Sequence, residues 1–146
     1  MKTEIQRVDS IPLIVAWLLK MRVVEIIDLV LPLPHPNREG QSLGQLVLLF
    51  ITYVLHMRTH RLSSMMEWVV NHRWVLCRAT GWKIHPKEAT DDRLGDLLTV
   101  LGKDEKRGYD LQRELGQHLI KAYTLPSRVA RYDTTTFSVH HAPQSF

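Results

Sequence analysis

Residues 42–57 read SLGQLVLLFITYVLHM and form the most strongly patterned segment of the chain. Its apolar residues recur at the spacing of one face of an α-helix: Leu43, Leu46, Val47, Phe50, Val54 and Met57. Ser42 can cap this helix by accepting a hydrogen bond from a backbone N–H group of the first turn. The segment therefore predicts a long helix that buries one side.

Helical periodicity extends on both sides of this segment, from Ser10 to Leu101. Pro12 suits the first turn of a helix, and Met65 and Met66 are expected to fill the core. A proline-rich run interrupts the pattern at Pro32, Pro34 and Pro36. Further helices are predicted over residues 11–19, 23–31, 62–80, 91–101 and 111–122. The fold class is therefore mainly α, with about six helices.

The character of the sequence changes after Pro126. Residues 128–140 read RVARYDTTTFSVH, a run of β-branched and aromatic residues around a polar centre, which predicts the two strands of a β-hairpin. A hairpin alone is only marginally stable in water, so this one needs further sheet. The chain accordingly divides into a helical domain, 1–125, and the start of a β-containing domain, 126–146.

Excess positive charge is confined to one stretch, from His56 to Glu88. This stretch contains six cations and two carboxylates, Glu67 and Glu88. The resulting charge of the stretch, +4, equals the net charge of the whole chain. The six cations are Arg58, Arg61, Arg73, Arg78, Lys83 and Lys87. Clustered cations with interleaved tryptophans suit a phosphate-rich partner such as DNA. A solvated helix face would give the same pattern.

Several classes of protein and site are disfavoured by the sequence. The single cysteine, Cys77, excludes an internal disulfide and fits a reducing cytoplasm. The apolar stretch at 43–55 is too short for a bilayer span, and the stretch at 11–19 is unlike a signal peptide because Pro12 interrupts it and no small-residue cleavage site follows. We therefore expect a cytoplasmic protein with no membrane partner. His56 and His60 have the spacing of half a zinc site, but no third ligand lies at a fitting distance.

Residues 131–139, RYDTTTFSV, resemble the first catalytic strand and hairpin of DDE-type bacterial insertion-sequence transposases. Three upstream segments are similar to the helical N-terminal domain of that group, in the same order: 23–28 (VVEIID), 44–55 and 91–95 (DDRLG). The resemblance implies a helical domain followed by the first hairpin of a truncated ribonuclease-H-like α/β domain.

The same resemblance assigns Asp133 as the first catalytic carboxylate and as a metal ligand. Such transposases use two divalent ions, Mg²⁺ or Mn²⁺, which carboxylate oxygens hold. Taken without the family context, Asp133 reads as a turn residue between two strands. The second aspartate and the glutamate of the family are not among the 146 residues. We therefore expect this chain alone to be catalytically inactive and to bind no metal cofactor.

The function implied is that of an N-terminal fragment of a transposase, acting in DNA transposition through binding of DNA ends or through assembly. Its expected partners are DNA and, for assembly, a second copy or a full-length transposase. The alternative is a non-catalytic helical interaction module that pairs with a full-length transposase and regulates it. The order of the motifs does not choose between these roles.

Overall fold

Helices make up most of the chain that the computed structural model describes, residues 8–31 and 40–126. Over these residues there are six α-helices and no strand: α1 Ile11–Lys20, α2 Val23–Val30, α3 Leu43–Met57, α4 Met65–Thr80, α5 Asp91–Gly102 and α6 Glu105–Ala122. Short 3₁₀ turns, Leu62–Ser64 and Pro86–Ala89, precede α4 and α5. The mainly α prediction is confirmed for this part of the chain. The hairpin predicted after Pro126, with Asp133, lies outside the described residues.

Helix α3 is the centre of the core and contacts α1, α2, α4 and α5. Leu43, Leu46 and Val47 are buried as the periodicity predicts. Thr52 is also buried, and its hydroxyl donates a 2.7 Å hydrogen bond to the Leu48 carbonyl, which satisfies this buried donor. Met57 was expected on the buried side but is half exposed. It lies in the last turn, where Arg58 ends the helix in a left-handed conformation.

The first turn of α3 is capped from two directions. The Ser42 hydroxyl accepts from the Gln45 backbone N–H at 3.1 Å, and the Gln45 side chain accepts from the Ser42 N–H at 3.0 Å. This capping box confirms the predicted cap. Asp28, at the end of α2, accepts a further hydrogen bond from the Gly44 N–H at 2.7 Å. A carboxylate thus lies at the positive end of the α3 dipole.

Gly44 lets α2 and α3 approach backbone to backbone. A Cβ atom built at Gly44 would lie 2.3 Å from the Val24 carbonyl oxygen, which is far inside contact distance. Glycine is therefore the residue that this crossing requires, because any side chain would push the two helices apart.

The other helices surround this pair. Helix α1 buries Ile11, Val15 and Leu18 and packs against α3 and α4. Helix α6 packs against α2 and α5, but none of its residues is fully buried. It begins at Glu105, six residues before the predicted start, because Asp104 caps it by accepting from the Lys106 N–H at 3.0 Å. Among the helices of the described residues, none is both long and apolar enough to cross a membrane.

Two glycine-to-alanine changes should have opposite effects on the free energy of unfolding, one at the α2–α3 crossing and one away from it. Gly44→Ala should lower the free energy of unfolding by about 1–3 kcal/mol, because the new methyl group overlaps the Val24 carbonyl. Gly95→Ala is the matched control, since that glycine lies within α5 with nothing within 4 Å of a Cβ. It should raise stability by about 0.5–1 kcal/mol.

Urea unfolding followed by circular dichroism measures both changes. A Gly44→Ala protein as stable as the wild type would show that α2 and α3 do not approach this closely.

Candidate nucleic-acid interface

The six cations singled out in the sequence lie on α4 and on the segments that flank it in the chain. Arg58 and Arg61 precede the helix, Arg73 and Arg78 lie on it, and Lys83 and Lys87 follow it; all six are exposed, and we call them the α4 cations. With 16 residues, α4 is about 24 Å long. The positive charge is therefore spread along an extended edge of the domain.

The α4 cations do not form one compact cluster. Arg73 and Arg78 are five residues apart on the helix, which turns their side chains about 140° from each other. Arg58 and Arg61 precede α4 in the chain, whereas Lys83 and Lys87 lie on the segment that folds back against it, where the Pro86–Ala89 turn packs on α4. Sequence order alone suggested a single patch, whereas helix geometry directs Arg73 and Arg78 to different sides.

Arg73 makes a structural hydrogen bond as well as contributing positive charge. Its Nε donates a 2.9 Å hydrogen bond to the carbonyl of Ile84, a residue that is itself fully buried. Just before, Gly81 ends α4 in the left-handed conformation at φ 75°, and the Trp82 N–H donates to the Thr80 hydroxyl at 3.1 Å. Arg73 therefore anchors the loop that presents Lys83, a role that no sequence pattern indicated.

Glu88 does not neutralise the α4 cations as its place in the sequence suggests. Its carboxylate forms an ion pair with Arg93 on α5 and accepts from the Gln41 backbone N–H at 3.2 Å. The Gln41 side chain in turn donates to the Lys83 carbonyl at 3.2 Å. This network ties the segment before α3 to the loop after α4, and it directs the Glu88 charge towards Arg93.

An aromatic and histidine cluster joins α3 to α4. Trp68 is 3% exposed, and its Nε1 donates to His56 Nδ1 at 3.0 Å. The rings of His56 and His72 lie 5.1 Å apart between centroids. The sequence pairs His56 with His60 by spacing, and it disfavours a zinc site there. In residues 8–31 and 40–126, no group of three histidine, cysteine or acidic residues could hold a metal ion.

The three tryptophans of the basic stretch differ in exposure. Trp68 is buried and Trp82 is half-buried, whereas Trp74 on α4 is 66% exposed. Trp74 lies between Arg73 and Arg78, so its ring is available to a partner of the cations. The candidate interface thus consists of the α4 cations and this one exposed aromatic ring.

Comparison with known proteins gives one finding. A family model described as "Domain of unknown function (DUF4277)" matches residues 3–108. Neither the curated proteins nor the solved structures provide a match. The matched region contains α1 to α5, the first residues of α6 and all of the α4 cations. It ends before the predicted hairpin.

The two arginines of α4 should respond differently to substitution. Arg73→Gln should lower the free energy of unfolding by about 1 kcal/mol, because the Ile84 carbonyl loses its donor. Arg78→Gln removes an equal charge from the same helix and should change stability by less than about 0.5 kcal/mol.

Urea unfolding of both variants, with amide hydrogen exchange over residues 81–85, is the measurement. Equal stability of the two variants, with unchanged exchange in the loop, would remove the anchoring role from Arg73.

Proposed function

The chain belongs to the DUF4277 family, and we propose that it is the helical N-terminal domain of a DDE-type insertion-sequence transposase. In the cytoplasm this domain binds the DNA of the insertion element. The family description assigns no function. The proposal combines the ordered resemblance of residues 23–28, 44–55, 91–95 and 131–139 with the charge on α4.

The observation that carries DNA binding is the exposure of all six α4 cations along about 24 Å of one helix and its flanking loops. Duplex DNA carries one phosphate charge per roughly 1.7 Å of its axis, so this length corresponds to about seven base pairs. The ion pair between Glu88 and Arg93 withdraws one of the two acidic groups of the stretch from competition with phosphate.

The arrangement favours contacts to the DNA backbone over base readout. Arg73 and Arg78, which are directed about 140° apart, do not present one set of side chains to one groove. Contacts to phosphates fix position and orientation but carry no sequence information. We therefore assign to this domain the holding of DNA, with affinity that depends strongly on salt.

Residues 126–146 complete the proposal as the first hairpin of a ribonuclease-H-like domain. Asp133 would supply the first carboxylate for Mg²⁺ or Mn²⁺ in an enzyme that also contains the second aspartate and the glutamate. The 146 residues by themselves contribute DNA binding or assembly and no strand transfer.

A second candidate is a non-catalytic interaction module that pairs with a full-length transposase. Exposed apolar residues on α4 favour it, since Met66 and Val70 lie on the surface together with Trp74. Met66 was expected in the core and is 43% exposed instead. The two candidates differ in whether the α4 region binds DNA or protein.

Duplex binding should weaken steeply with salt. Four phosphate contacts predict a slope of log K against log salt of about −3.6. Changing Arg58, Arg61, Lys83 and Lys87 to glutamine should lower affinity for any duplex and flatten that slope. These four changes leave the hydrogen bond between Arg73 and the Ile84 carbonyl intact. The control changes Lys20, Lys103, Lys106 and Lys121 to glutamine, which removes the same charge from exposed positions elsewhere.

Fluorescence anisotropy at several salt concentrations compares the three proteins. Loss of affinity in the first variant alone supports the interface. Equal loss in both variants, or a flat salt response of the wild type, would refute DNA binding at α4.

A further inference from the structure

Helix α4 has a second apolar face that no part of the described chain covers. Met65, Trp68, Val69 and Leu76 are buried against the core. On the outward side, Met66, Val70 and Trp74 follow one another at intervals of four residues and are 43%, 51% and 66% exposed. We call these three residues the outer stripe. Contiguous exposed apolar surface marks an interaction site.

A charge of each sign flanks the outer stripe on one side. Glu67 and Arg78 are eleven residues apart, which places them within about 20° of each other around the helix and about 16 Å apart along it. They are too far apart to pair within one helix. Within the part of the chain that the structure describes, neither forms an ion pair.

We propose that the outer stripe binds the same stripe of a second copy of this chain, with the two α4 helices antiparallel. The midpoint between Val70 and Trp74 is residue 72. The midpoint between Glu67 and Arg78 falls directly after residue 72. A twofold axis at that point seats Val70 against Trp74 of the second copy. The same axis pairs Glu67 with Arg78 of the second copy, and it does so twice.

Charge decides between this arrangement and its alternatives. In a parallel pair the twofold axis runs along the helices and places the Glu67 and Arg78 side chains of the two copies on opposite edges of the interface, so neither charge gains a partner. DNA on the outer stripe would meet the Glu67 carboxylate. Antiparallel pairing satisfies both charges, and it does not involve Arg58, Arg61, Lys83 or Lys87. One helix pair is a small interface, so the dimer should be weak, with a Kd in about the micromolar range.

The test is sedimentation equilibrium of the full chain without DNA, over a range of protein concentrations. The wild type should dimerise. Glu67→Arg and Arg78→Glu, each alone, should raise the Kd by roughly tenfold or more, because each turns two attractive pairs into repulsive ones. The double variant E67R/R78E should return the Kd towards the wild-type value.

Trp74→Glu should abolish the dimer. Leu29→Glu is the matched control, since Leu29 is 74% exposed on α2, away from α4, and its change should leave the Kd unaltered. Circular dichroism establishes that each variant is folded.

Three outcomes would overturn the proposal. They are a wild type that stays monomeric, a dimer insensitive to Trp74→Glu, and a double variant that is not restored. A monomer whose Trp74 resists quenching by acrylamide would assign the outer stripe to another segment of the same chain. A monomer that loses duplex binding on Trp74→Glu would assign it to DNA. In this arrangement Trp74 and Arg78 belong to the dimer contact, and DNA binding rests on Arg58, Arg61, Lys83 and Lys87. These four are unchanged throughout, so the DNA proposal is tested separately.

Discussion

The contact between α2 and the first turn of α3 sets the arrangement of the other helices. Asp28 accepts the Gly44 N–H, and the missing side chain at Gly44 admits the Val24 carbonyl to the helix surface. Helix α3 is the element that α1, α4 and α5 also contact, and α2 is one of the two helices that hold α6. Fixing how α2 meets α3 therefore fixes the frame on which α4 and its cations are displayed.

Local features of this fold follow from the sequence, whereas contacts between distant residues do not. The Ser42 cap and the buried side of α3 depend on residues within a few positions, so periodicity and capping rules were sufficient. The Arg73 bond to Ile84 and the Glu88 pair with Arg93 depend on how helices and loops are brought together. Nothing in the spacing of those residues distinguishes them from solvated charges.

The candidate interface follows from the sequence only as a stretch of charge, and its binding of DNA stays a prediction. All six cations are exposed, but the pattern of charge did not show that Arg73 has a structural partner. Met66 was assigned to the core because apolar residues on a helix are usually buried. It lies outward because Met65 already occupies the inward position of that turn. Asp133 stays a prediction.

The segments that resemble transposases contain residues with identified structural roles. Asp28 caps α3, Gly44 permits the crossing, and Arg93 binds Glu88. The resemblance within the helical domain therefore rests on residues that build the fold. The α4 cations lie outside the three matching helical segments, so DNA binding has independent physical support and needs its own test.

Helix α6 differs from the rest of the domain in how firmly it is attached. Its leucines Leu111 and Leu115 pack against the core only half-buried, and no residue of its 18 is fully buried. The free energy needed to open an element depends on the apolar contacts that it must break. Helix α6 is therefore the element that separates at least cost, through a local fluctuation in which α1 to α5 keep their core. The family match ends at residue 108, within the first turn of this helix.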